Sequence, residues 1–288
     1  MHDFTSHALS KHLCARTEVD SVVASIKRRD YHHVLKYLQR IPSIGEATSG
    51  VERHIHHDFF VNHSLYRHPI PLIYLSEVRP LAIMLDEIFA KAMDYVKDYM
   101  SNYDASHDFK HVERVLKLAQ TIEYAEAEAN PNLILDPHVI MLSAVLHDVG
   151  DKKYLKPGED ASTLVINYLK SLDCPEGIAA KVQLICSNVS YSNEVKNQAF
   201  VSQLCSVIPE LKIVQDADRL DAIGAVGIAR MFCYTGAKAS DRGLEVSHFH
   251  EKLLKLEGMM KTETGKRLAR ERTRRMEQYL EWWNDEVG

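Results

Sequence analysis

A histidine followed by an aspartate can hold a divalent cation or move a proton. The chain carries that pair four times, at His2-Asp3, His57-Asp58, His107-Asp108 and His147-Asp148. Repetition makes the dipeptide uninformative by itself, and the surroundings separate the four. Only His147-Asp148 closes an apolar run, Val139-Ile-Met-Leu-Ser-Ala-Val-Leu146, with Gly150 soon after. Two ionisable groups at the end of a core-facing helix are costly to bury unpaired. Imidazole and carboxylate are standard ligands for borderline and hard cations, so a divalent ion gives the pair a purpose. A capped, solvent-facing helix end is the other use of the same residues.

His111 lies on or beside the apolar side set by Val112, Val115, Leu116 and Ala119. A lone histidine there is usually a satisfied core residue. His107 sits one turn earlier on the same side, so the two can line one pocket. Asp218 belongs to a segment that mixes Asp216, Asp218, Asp221, Arg219 and Arg230 with apolar residues. Those charges fall on several helical faces, so some must be buried or line a cleft. Ion pairs of Asp221 with Arg219 or Arg230 account for part of the set. Gly224 and Gly227 lower helix propensity by ~1 kcal/mol each relative to alanine and so point to close packing.

The elements that hold these residues read as helices. Leu81, Met84, Leu85, Ile88, Phe89, Ala92, Val96 and Tyr99 recur at three- and four-residue steps, which is one apolar helical face. A second helix carries His111, with Asp104 or Ser106 as its expected N-cap. Asp136-Pro137 is a capping side chain followed by proline at the first helical position, and opens the helix that reaches Val149. Further helices are expected near Asp160, near Pro175-Glu176, from Pro209 through Ala229, from Ser247, and from Thr262 to Trp283. No stretch alternates with period two, so strands are not expected. The reading is an all-α bundle of about eight helices over residues 76–288.

Residues 1–75 differ. Ten of the sixteen histidines lie there, without recurrent ligand spacing, and the apolar residues follow no sustained period. This segment is expected to be a poorly ordered leader, with a helix near residues 18–40. The net charge of -5 offers no general basic surface for a nucleic-acid backbone. The last helix is rich in lysine and arginine, but Glu263, Glu271 and Glu277 interleave with them, and Trp282 and Trp283 are expected to pack on the body. Five cysteines at 14, 174, 186, 205 and 233 form no CxxC pair, which fits reduced thiols, with Cys186, Cys205 and Cys233 as small core residues. No apolar run spans a bilayer and no signal-peptide stretch begins the chain, so the expected location is the cytoplasm.

Taken together, the motifs resemble the HD-domain superfamily of metal-dependent phosphohydrolases, in particular a bacterial and fungal single-domain subgroup. Ser106-His-Asp-Phe-Lys-His-Val-Glu-Arg-Val115 is similar to its opening motif and Leu146-His-Asp-Val-Gly-Asp-Lys-Lys-Tyr154 to its centre. Gln215-Asp-Ala-Asp-Arg-Leu-Asp-Ala-Ile-Gly-Ala225 is similar to its closing motif, and His248 to Leu256 with Met260-Lys-Thr262 to its tail. The likeness spans roughly residues 80–285 and leaves the leader unmatched.

The resemblance implies His111, His147, Asp148 and Asp218 as metal ligands. It implies one divalent ion, manganese or magnesium first, with iron, cobalt, nickel or zinc also suited to the donors. It implies hydrolysis of a small phosphorylated substrate, a nucleotide foremost, by a metal-activated water. Asp151 then becomes the candidate to orient that water beside Asp148, and His107 a candidate donor to the leaving oxygen. Lys153, Arg219 and Lys152 are the candidate phosphate contacts. One departure stands out: where the subgroup carries a histidine before a Ser-Phe-Ser stretch, Val189 precedes Ser190-Tyr-Ser192. A metal- and nucleotide-binding regulatory module without turnover is therefore the alternative.

Overall fold

The computed structural model describes residues 72–101, 108–151, 155, 157–238 and 246–288. The expected leader, except for its last four residues, lies outside the described residues, as do His107, Lys152 and Lys153. Among the described residues there are eleven α-helices and no strand. They are α1 (Leu72–Tyr99), α2 (Phe109–Ala129), α3 (Pro137–Leu146), α4 (Leu164–Ser171), α5 (Glu176–Cys186) and α6 (Tyr191–Lys196). Then come α7 (Gln198–Val207), α8 (Pro209–Asp221), α9 (Gly224–Lys238), α10 (Ser247–Glu251) and α11 (Glu263–Val287). Two 3-10 turns, Leu253–Lys255 and Glu257–Met259, join α10 to α11.

The all-α reading holds, with more and shorter helices than the eight expected. The single helix expected from Pro209 through Ala229 is two. Gly224 adopts φ +75, a left-handed conformation that glycine takes without a Cβ penalty, and the chain turns there between α8 and α9. Gly227 is a close-approach glycine, since a Cβ on it would lie 2.2 Å from the Ala222 carbonyl oxygen.

Helix α3 is buried along its whole length, from His138 to Leu146. A helix apolar on every side belongs at the centre of a core. Helices α1, α2, α5 and α8 pack around it. Val112, Val115, Ala119 and Ile122 of α2 are fully buried, as are Val139, Ala144, Val145 and Leu146 of α3. Burying each larger aliphatic side chain stabilises the fold by ~1.5–3 kcal/mol. Asp136 caps α3 as its position implied, accepting from the backbone N–H of His138 and Val139 at 3.0 and 3.2 Å. Gly150, at φ +86, turns the chain after His147-Asp148.

Helix α2 begins differently from expectation. Its N-cap is Asp108, which accepts from the His111 backbone N–H at 3.1 Å. The aspartate of one His-Asp pair is thus a cap. At the other end of the chain, Trp283 stacks near Phe232 with ring centroids 6.0 Å apart, but Trp282 is 59% exposed rather than packed. Cys205 is buried as expected, Cys186 is half-buried, and Cys233 is exposed on α9, so it is not a core residue.

Candidate metal centre

Three helices bring the site together. Helix α2 supplies His111 from its first turn, the end of α3 supplies His147 and Asp148, and the last turn of α8 supplies Asp218. The Nε2 atoms of His111 and His147 stand 3.2 Å apart. Asp148 Oδ2 lies 3.5 Å from His111 Nε2 and 3.4 Å from His147 Nε2. Asp218 Oδ1 lies 3.6 and 3.7 Å from the same two nitrogens. His111, His147 and Asp148 form a group able to hold a metal ion.

The outward nitrogens fix the chemistry of the inward ones. His147 Nδ1 is 2.8 Å from the Ala144 carbonyl oxygen, which can only accept, so Nδ1 carries the proton. His111 Nδ1 is 2.7 Å from Asp221 Oδ2. Asp221 also receives Arg114 Nε and Nη2 at 2.7 and 3.0 Å and Arg230 Nη1 at 2.9 Å. Burial raises the carboxyl pKa, but the bonds from His111 and Arg114 and the positive charges nearby outweigh it and hold Asp221 well below the usual range. An ionised carboxylate accepts, so His111 Nδ1 donates. Each imidazole therefore turns its Nε2 inward, toward the other and toward two carboxylates.

Such a set of lone pairs and negative charge suits a divalent cation. Protonation is the other way to relieve it. Burial lowers the basicity of His111, but the bonds to Asp148 and Asp221 prevail and lift its pKa to about 9. The two histidines are more deeply buried than the two aspartates. The histidine side chains are 1–2% exposed, whereas those of Asp148 and Asp218 are 19% and 26% exposed.

The structure corrects one expected contact. Arg219 is 2% exposed and its guanidinium is paired with Glu194 of α6, with Nη2 also 3.5 Å from the Val189 carbonyl oxygen. Adjacent residues on a helix point about 100° apart, so the face that turns Asp218 to the ligands turns Arg219 into the core. It is placed as a buried structural cation rather than a phosphate contact. Val189 is itself a core residue, 2% exposed. Asp151 occupies the turn just after His147-Asp148, with its backbone N–H 3.2 Å from the Asp148 carbonyl oxygen.

Sequence reasoning underrated Asp221. Its partners are Arg114, Arg230 and His111, not Arg219. The available signal was its spacing of three from Asp218, which places both on the side of α8 that faces α2. It also missed Glu194, which sits in a six-residue helix too short to show a period.

No protein-family model matches the chain. A curated relative is YpgQ of Bacillus subtilis, a protein of uncharacterised function, 34% identical over 190 residues that make up 65% of this chain and 87% of YpgQ. The crystal structure of YpgQ in complex with ADP matches 69% of this chain and 97% of its own, at 32% identity and TM-score 0.55. Lin1889 of Listeria innocua matches 70% of this chain and 97% of its own, at 30% identity and TM-score 0.51. The chain belongs to the HD-domain superfamily.

Proposed function

We propose that the protein hydrolyses a phosphoanhydride or phosphoester bond of a small nucleotide, with one divalent ion held by His111, His147, Asp148 and Asp218. The observation that carries this reading is the approach of one oxygen each of Asp148 and Asp218 to the paired Nε2 atoms of His111 and His147, at 3.4–3.7 Å. The ADP found with YpgQ supports a nucleotide as the ligand class. Manganese and magnesium are the first candidates for the ion.

A divalent ion held by these residues would supply Lewis acidity for a phosphoryl oxygen and for the attacking water. The chain's own groups do the rest. His111 and His147 are held by their Nδ1 donors, so they keep one orientation. Asp151, in the turn beside the ligands, is proposed to orient the attacking water and take its proton. Lys152 and Lys153 follow it directly in sequence and are proposed to neutralise phosphate charge. His107, four residues before His111 in sequence, is proposed to donate to the leaving oxygen.

The test is a panel of ribo- and deoxyribonucleoside mono-, di- and triphosphates incubated with the full chain and followed by phosphorus NMR. The reading expects at least one nucleotide to be cleaved, with inorganic phosphate or pyrophosphate identifying the bond. Tight binding of a nucleotide without cleavage, in folded protein supplied with each candidate ion, would contradict hydrolysis and support a binding module.

A further inference from the structure

Asp221 is the most heavily engaged side chain near the centre, yet it points away from the convergent atoms. It is 1% exposed, and its two oxygens receive donors from two other helices, His111 and Arg114 of α2 and Arg230 of α9. Oδ2 alone faces His111 Nδ1 at 2.7 Å, Arg230 Nη1 at 2.9 Å and Arg114 Nη2 at 3.0 Å. A plain structural clamp would need only the arginines. Here the same oxygen also takes the imidazole N–H whose ring presents Nε2 to the ligand cluster.

A carboxylate on the far nitrogen of a ligating histidine fixes its tautomer, holds its ring plane and increases electron density at the ligating nitrogen. The two histidines are unequal in this respect. His147 donates Nδ1–H to a neutral carbonyl oxygen, Ala144 O, at 2.8 Å. His111 donates to a full negative charge. Arg114 and Arg230 in turn hold the Asp221 carboxylate in place, at 2.7–3.0 Å.

We propose that Asp221 is a positioning residue that sets the cation affinity of the centre by orienting and polarising His111. The proposal rests on the metal-site reading above. Another buried aspartate of the same helix supplies the contrast. Asp216 accepts from the backbone N–H of Thr262 at 2.8 Å and from its hydroxyl at 2.7 Å, and so anchors the start of α11 without touching a ligand.

The test measures Mn²⁺ affinity calorimetrically on the metal-stripped full chain and on Asp221→Asn, Asp216→Asn and His147→Ala. Asp221→Asn is expected to weaken binding about 10–100-fold, while Asp216→Asn lowers thermal stability and leaves the affinity within about twofold of wild type. If His147→Ala abolishes binding and Asp221→Asn binds as wild type, the positioning role is wrong and the metal site stands. If His147→Ala binds as wild type, the metal site itself is wrong. A second readout uses the wild-type protein alone. With histidine labelled in ¹⁵N, Zn²⁺ should shift His111 Nε2 and leave Nδ1 protonated. Loss of the Nδ1 proton on Zn²⁺ binding would overturn the proposal even where the variant fails to fold.

Discussion

The Nε2 atoms of His111 and His147 face one another at 3.2 Å, each with its Nδ1 already committed as a donor. Two lone pairs and two carboxylates at this range repel unless a positive charge lies among them. A cation that binds the folded state alone stabilises it by mass action, ~2.7 kcal/mol at one hundred times its dissociation constant. Added Mn²⁺ should therefore raise the melting temperature and EDTA should lower it. His147→Ala should lose that response. A melting temperature indifferent to metal in the wild type would argue against the site.

The same geometry sets a pH dependence. In the metal-free protein His111 has its pKa raised to about 9, burial opposing the shift and the bonds to Asp148 and Asp221 winning. A group raised in the folded state contributes stability that is complete below its unfolded pKa of about 6.5 and lost as pH climbs through its folded value. Chelated protein should thus lose stability between pH 6.5 and 9, relative to metal-loaded protein whose His111 is a neutral ligand. Chemical denaturation across that range checks it, and parallel profiles for the two forms would contradict it.

Arg219 and Glu194 make a pair inside the core, with side chains 2% and 10% exposed. Lys261 Nζ joins Glu194 at 2.9 Å. Removing one member of such a group leaves buried charge uncompensated, at a cost of ~3–5 kcal/mol. Glu194→Ala should fall in that range by urea denaturation. The triple replacement Glu194→Leu, Arg219→Met and Lys261→Met should lose less than the single one. Equal stability of Glu194→Ala and wild type would mean the pair is not buried as described.

Thiol chemistry reports the packing independently. Burial pushes the Cys174 thiol up to about 12 and the Cys205 thiol up to about 11. Only a small fraction of either is thiolate at pH 8, and the thiolate is the reactive form. Among the described cysteines, iodoacetamide at pH 8 should reach exposed Cys233 first, with Cys174 and Cys205 labelled on unfolding. Peptide mass spectrometry resolves the sites, and equal labelling of all three in folded protein would contradict the core assignment.

Much of this was legible in the residues, for identifiable reasons. An apolar helix with a polar, ionisable end marked His147 and Asp148, and the Asp136-Pro137 signal placed the start of that helix. The convergence of His111 and Asp218 on that pair needed the resemblance, since each alone reads as an ordinary helical residue. Arg219 was misread because its partner Glu194 lies 25 residues away on a helix too short for periodicity. Gly224 is closely packed as read, since a Cβ on it would lie 3.0 Å from Arg272 Cβ, but the break there was missed because a glycine's φ is not visible in sequence. Asp108 shows the limit of dipeptides: the aspartate of one His-Asp pair caps a helix, while that of another, Asp148, stands within 3.5 Å of two imidazole nitrogens.

The most direct test of the central claim is turnover by chelator-stripped full-length protein as Mn²⁺ is added back, beside Asp148→Ala. The account predicts no cleavage in EDTA, activity that rises with Mn²⁺ and saturates near one ion per chain, and none in the variant at any Mn²⁺ concentration. Equal cleavage by stripped and reloaded protein, or full activity in Asp148→Ala, would contradict it.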